Sequence, residues 1–202
     1  MRKFTEESLV IATHNHGKLE EINALFAPLG VIGVSAAQLG LVEPIETEDN
    51  FIGNARIKAH AACAASGLPA LADDSGVCVD ALGGAPGVYT ADWAETPSGR
   101  NFDLAMQKTW DLLESVRADH PRRAQFRCTL VLAWPDKYDE VFEGVMDGQI
   151  VWPKRGLQGH GYDPIFLPDG QIKTLGEMDR WQKNQLSHRA HAFQQLISGC
   201  FT

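Results

Sequence analysis

The chain has no apolar run near the roughly 18 residues that span a membrane. Its first residues, MRKFTEESLV, hold no apolar signal segment. Both absences set the expectation of a cytoplasmic protein with no membrane partner. Its four cysteines, Cys63, Cys78, Cys128 and Cys200, form no CxxC pair and no metal-type spacing. Each lies among apolar or small residues, which predicts buried, reduced thiols. Positive charge is scarce: 18 Lys and Arg stand against 26 Asp and Glu, a formal net charge of −8. A nucleic-acid surface needs clustered cations along the phosphate backbone, so no nucleic-acid partner is expected. A small phosphate ligand bound together with a cation remains open. No repeat, low-complexity tract or linker interrupts the 202 residues, and one domain over 1–202 is expected from that length. A hydrophobic fraction of 44% with 22% charged residues is that of an ordinary globular chain.

What is present alternates between two periods. SLVIAT (8–13) reads as a buried strand. GKLEEINALFAPLG (17–30) sets Leu19, Ile22, Leu25, Phe26 and Leu29 at helical spacing, with Asn15 as a candidate cap and Gly30 as a stop. A second helix is predicted over 49–66, with Ile52, Ala55, Ala59, Ala62 and Cys63 inward and Gly67 ending it. Strand signals follow at 69–73 and 77–80, then a helix over about 100–117. A long β region comes next, in RAQFRCTLVLAW, EVFEGVMDG and QIVW, and the tail over 179–199 is helical. Helices alternating with strands, followed by a hairpin-rich middle, predict an α/β fold on a mixed sheet.

Several stretches carry chemistry. In ALADDSGVCVDALGG, Asp73 and Asp74 stand side by side, followed by Ser75 and Gly76, with Asp80 further on. Two readings compete: a turn, since Asp, Ser and Gly are turn residues, or a seat for a cation. THNHGK (13–18) joins the first strand to the first helix. It is no Walker loop, because Ala12 stands where the first glycine belongs and Leu19 where Ser or Thr should follow the Lys. A loop entering a helix still offers backbone N–H groups to a phosphate. Lys18 opposes the helix dipole; a bound anion would account for it, and so would Glu20 and Glu21. His14 and His16 read either as a metal pair or as exposed loop residues.

In KNQLSHRAHAFQQL, Ser187 could cap a helix that begins with His188 and Arg189, placing two cations at its positive end. A helix unbroken from Asp179 would remove that conflict. No Glu completes an HExxH pattern around His188 and His191, which argues against zinc. GHGYDPIF (159–166) sets glycines about His160 and holds an aromatic pair, suited to stacking on a flat ligand or to a plain turn.

Taken together, ATHNHGKLEEI, FIGNARIKA, PALADDSGVCVDALGGAPGVY, GHGYDPIF and KNQLSHRA resemble, in order and spacing over the whole chain, the inosine/xanthosine triphosphate pyrophosphatases. That resemblance implies an elongated mixed sheet flanked by helices, in two lobes with an active-site cleft between them, and a homodimer. It implies hydrolysis of deaminated purine nucleoside triphosphates (ITP, dITP, XTP) to the monophosphate and pyrophosphate, with Mg²⁺ as cofactor. Asp74 matches the family's proton acceptor and magnesium contact, and Glu46 its second magnesium ligand. Ser75 falls on a substrate-binding position. Thr13, His14, Asn15, His16, Gly17 and Lys18 match the triphosphate segment. His160, Gly161, Tyr162 and Asp163, with Lys183, His188 and Arg189, match positions around base and phosphates. Asp80 is expected to be structural or a lesser contributor.

The match has departures. Ile45-Glu46 stands where relatives often carry two acids, Gly53 where many have Glu, His160 where the stacking Phe belongs, and Asp92 where Arg is frequent. They bear on metal affinity, base affinity and rate, not on reaction type. Two other readings are weighed: a related house-cleaning pyrophosphatase acting on modified pyrimidine nucleotides, and a nucleotide-binding module without catalysis.

Overall fold

The apolar start of the chain forms β1 (Ser8–Ile11), in which Leu9, Val10 and Ile11 are fully buried. The computed structural model describes residues 1–13 and 16–201, with His16, Gly17 and Glu21 as backbone only. The expected Asn15 cap therefore lies outside the described residues. α1 (His16–Phe26) turns Ile22 and Phe26 into the core. Gly30, at φ +67°, reverses the chain after it, in the left-handed region that glycine enters without strain. β2 (Ile32–Ser35) follows.

α2 (Phe51–Ser66) opens at Asn50, whose side chain accepts the Gly53 N–H at 2.8 Å, and closes on Gly67. Its inner face is Asn54, Ala55, Lys58, Ala59, Ala62 and Cys63, so the expected alanine stripe also carries a lysine and an asparagine. β3 (Ala70–Val79) is one continuous strand. The small hairpin of β4 (Glu95–Thr96) and β5 (Gly99–Arg100) leads to α3 (Phe102–Ser115), capped by Asn101. β6 (Arg123–Ala133) and β7 (Asp139–Ile150) form a hairpin closed by Trp134 N–H to Tyr138 O. β8 (Phe166–Pro168), α4 (Arg180–Leu186) and α5 (His188–Leu196) complete the order.

Six strands make one sheet in the order β2-β1-β3-β6-β7-β8. β1 runs parallel to β2 and β3, while β8 runs antiparallel to β7. The expected mixed α/β sheet flanked by helices is therefore what forms. Two compact units divide the chain: Met1–Asp74 with Cys128–Glu143 and the tail from Ala192, and Ser75–Arg127 with Gly144–His191. The first packs Leu9, Ile11, Ile22, Phe26, Leu130 and Trp134 in one cluster and the α2 alanines against Val10 and Val131 in another. The second is centred on Val77, Phe126, Tyr162, Ile165 and Phe166. All four cysteines are free thiols; Cys63, Cys128 and Cys200 are buried, and Cys78 is half-buried.

The structure differs from the sequence reading at three places. Asp73 to Gly76 is strand, not turn, because lysines from other elements neutralise its carboxylates, as described below. EVFEGVMDG and the first two residues of QIVW join as one strand, β7, which stops at Ile150. The tail helix breaks at Ser187, which takes an extended backbone (ψ 146°) and accepts the Ala190 N–H on Oγ at 3.1 Å. That is the capping arrangement by which serine competes with helix continuation.

Candidate active site

The first unit gathers acids and lysines around β3. Asp73 and Asp74 follow the buried Ala70, Leu71 and Ala72 and are themselves buried. Lys18, in the first turn of α1, places Nζ 2.9 Å from Asp73 Oδ2. Lys58 reaches from the buried face of α2 and donates to Glu46 Oε1 at 2.8 Å, with Asp74 Oδ1 at 3.6 Å. One ammonium thus addresses both carboxylates. Burial alone would depress the Lys58 ammonium, but Asp74, then Asp73, then Glu46 outweigh it and raise its pKa. Burial pushes Asp74 up to about 6 against the pull of Lys58. Asp74 is therefore charged at neutral pH yet close to taking a proton, the condition a general base requires.

Asn54 holds the loop that carries Glu46. Its Oδ1 accepts the Glu48 N–H at 3.0 Å, and its Nδ2 donates to Glu48 O at 3.1 Å. Lys58 also lines a small open pocket with Ala12, Ala36, Leu41 and Ala62. Among the described residues, no group of three or more His, Cys, Asp or Glu is placed to hold a metal ion.

The second unit assembles a basic cluster. Arg189 Nη2 donates to Ser75 Oγ at 3.4 Å. The His188 ring lies almost parallel to Phe126, 5.0 Å between centroids and 13° between planes. Asp163 is buried, and its Oδ2 receives both the His160 N–H and the Lys183 ammonium, each at 2.6 Å. Gly159, at φ +79°, lies so close to Asp163 that an added Cβ would collide with its carboxylate. Gly161, at φ +65°, seats against the Phe102 ring.

Of the residues singled out from sequence, Glu46 and Asp74 meet through Lys58, Lys18 stands beside Asp73, and Thr13 is buried at the end of β1. Ser75, His188, Arg189, Asp163 and Lys183 join the basic cluster as above. His14 and Asn15 lie outside the described residues, and of His16 and Gly17 only the backbone is described. The aromatic pair of GHGYDPIF is not free to stack on a ligand: Tyr162 and Phe166 are 1% and 0% exposed. Burial raises the Tyr162 hydroxyl to about 12. His160 is the ring of this loop that faces solvent. Asp80 stays exposed in the short helical turn after β3.

Sequence reading missed Lys58, Asn54 and Phe126. Lys58 had a signal, since it falls at helical spacing with Ala55, Ala59 and Ala62, and a cation inside an alanine stripe needs a buried anion. Phe126 had none, being one apolar residue in a strand of many.

The Ham1 family profile matches residues 9–199. The dITP/XTP pyrophosphatase of Ruegeria pomeroyi is 63% identical over 200 residues, covering 99% of this chain and 98% of that protein. That of Agrobacterium fabrum is 51% identical over 211 residues, covering 99% of each. The structure of a HAM1 protein from Coxiella burnetii superposes with a TM-score of 0.89 at 35% identity, covering 96% of this chain and 98% of that one. Sequence and fold agree over nearly the full length, and the chain belongs to the Ham1 family.

Proposed function

We propose that the protein is a nucleoside triphosphate pyrophosphatase that hydrolyses ITP, dITP and XTP at the α–β phosphate linkage, releasing the nucleoside monophosphate and pyrophosphate. The names of its relatives support the substrate class. The observation that carries the chemistry is the Glu46–Lys58–Asp74 arrangement, in which Lys58 and Asp74 are buried and Glu46 reaches them from the exposed side. Asp74, raised to about 6, takes one proton from the attacking water. Lys58 and Lys18 supply fixed positive charge at the acids, and Lys18 with the 13–17 segment receives the triphosphate. The base is read by Arg189 and His188, whose donors suit the 6-oxygen of hypoxanthine and xanthine. Ser75 and Lys183 complete the substrate contacts.

Glu46 and Asp74 fit a divalent cation of the magnesium class: two carboxylates already converge on one positive group, and Mg²⁺ takes one or two carboxylates with water and phosphate oxygens. When bound, Mg²⁺ neutralises charge on the phosphates. The enzyme works in the cytoplasm as a homodimer, cleansing the nucleotide pool. A screen of nucleoside triphosphates for pyrophosphate release, with and without Mg²⁺, tests this. Release from ITP and XTP well above ATP is expected; preference for a pyrimidine nucleotide, or binding without turnover, overturns it.

A further inference from the structure

We infer that Phe126 is a positioning residue for base selection, acting through His188. The inference rests on the reading of His188 as a base contact. His188 and Phe126 are 7% and 8% exposed, and their rings are near-parallel at 5.0 Å. Phe126 projects from β6 between neighbours that pair on both sides, and Phe166 packs against it at 4.6 Å and 55°. The platform is thus fixed by a strand and by a second buried ring.

His188 needs such a platform. The terminal torsion of an imidazole is broad, so its plane is set by packing and not by its own rotamer. Both ring nitrogens lie in that plane. A hydrogen bond weakens steeply once donor and acceptor leave their line, so the tilt of the ring decides how well His188 meets an oxygen. His188 is also the first residue of α5, directly after the Ser187 cap, and its backbone is held by the same turn. Backbone and ring plane together restrict donation from His188 to directions within that one plane. Arg189, on the next residue, is anchored separately to Ser75, so loosening the His188 ring leaves that second donor in place.

A double-mutant cycle tests this, with kcat/KM measured for ITP and for ATP in wild type, Phe126→Leu, His188→Ala and the double variant. Phe126→Leu keeps an apolar side chain but removes the flat face, and Phe126→Tyr restores one. Phe126→Leu is expected to lower kcat/KM for ITP about 2- to 10-fold, the worth of one ring stack, and to lower ATP less, so selectivity narrows. Phe126→Tyr recovers selectivity, and in the His188→Ala background Phe126→Leu removes nothing further from it. Proton NMR checks the geometry directly: the His188 ring protons of wild type shift on losing the Phe126 face. Equal proportional losses for ITP and ATP, additive losses in the cycle, or unchanged His188 ring protons in a folded Phe126→Leu protein overturn the inference alone. Unchanged selectivity in His188→Ala overturns the base-contact reading itself, and the inference with it.

Discussion

Replacing Asp74 with Asn is expected to make the protein nearly inactive and, at neutral pH without metal, more stable. Burial raises this carboxyl from its ordinary 3.8 to about 6, even with Lys58 beside it. The fold therefore disfavours the ionised form over the neutral acid by about 3 kcal/mol. Asn has the shape of the neutral acid and keeps an oxygen for Lys58 to approach. Since Lys58 also loses part of what holds its charge, the net gain is about 1–3 kcal/mol. The same change removes the proposed base, which is worth about 10²- to 10⁴-fold in rate.

The pH dependence separates this from any generic benefit of an amide. Between the unfolded value of 3.8 and the folded value of about 6, the folded wild type holds more proton than the unfolded chain. Its stability is therefore fully present below 3.8 and is lost as pH rises through about 6. Asn does not titrate, so the variant should lead at about pH 7.5 and the lead should close towards about pH 4. Urea denaturation with a chelator present, at several pH values, gives the stability arm; pyrophosphate release from ITP gives the activity arm. A folded variant with near-wild-type turnover removes Asp74 as the base. A stability difference that ignores pH, or has the opposite sign, refutes the burial argument.

Lys18→Ala takes away a cation 2.9 Å from the buried Asp73. It should cost about 1–3 kcal/mol of stability and raise KM for ITP and ATP alike; a changed base preference with KM unaltered would misplace Lys18. Arg189→Ala should lower kcat/KM for ITP much more than for ATP, since Arg only donates and only the deaminated base offers an acceptor at position 6. Equal proportional losses would remove it from base recognition. Asn54→Ala deletes both hydrogen bonds that fix the Glu48 backbone and should cost about 1–2 kcal/mol at roughly 1 kcal/mol each. Calorimetry checks it, and an unaltered melting temperature would mean the loop is held by other contacts.

Much of the fold was legible because it follows from local patterns. Gly30 and Gly67 end helices where the apolar periodicity stops, both in left-handed backbone. The alternation along β6 from Arg123 to Cys128 sorts Ala124 and Phe126 inward and Arg127 outward. The short strands β2 and β8 were not legible: three or four residues carry no period, and they are strands because a neighbour pairs with them. The continuity of β3 was hidden for a different reason. Asp-Asp-Ser-Gly has the chemistry of a turn, and only Lys18 and Lys58, far away in sequence, make an extended, buried path tolerable there.

The residues that violate local expectation are the ones from which the proposed site is built. Lys18 at the positive end of α1 is unfavourable within its own helix and finds Asp73 on another strand. Lys58 is out of place in an alanine stripe and finds Glu46 and Asp74. His188 and Arg189 begin α5 where acids are preferred, and they find Phe126 and Ser75. Each misfit is resolved by a partner from a different element. The two carboxylates and the two lysines near β3 could be replaced by apolar residues of similar volume with little loss, or some gain, in stability. That such charges stand inside a packed sheet is therefore an argument about substrate: the groups that strain the fold are those a triphosphate and its attacking water would engage.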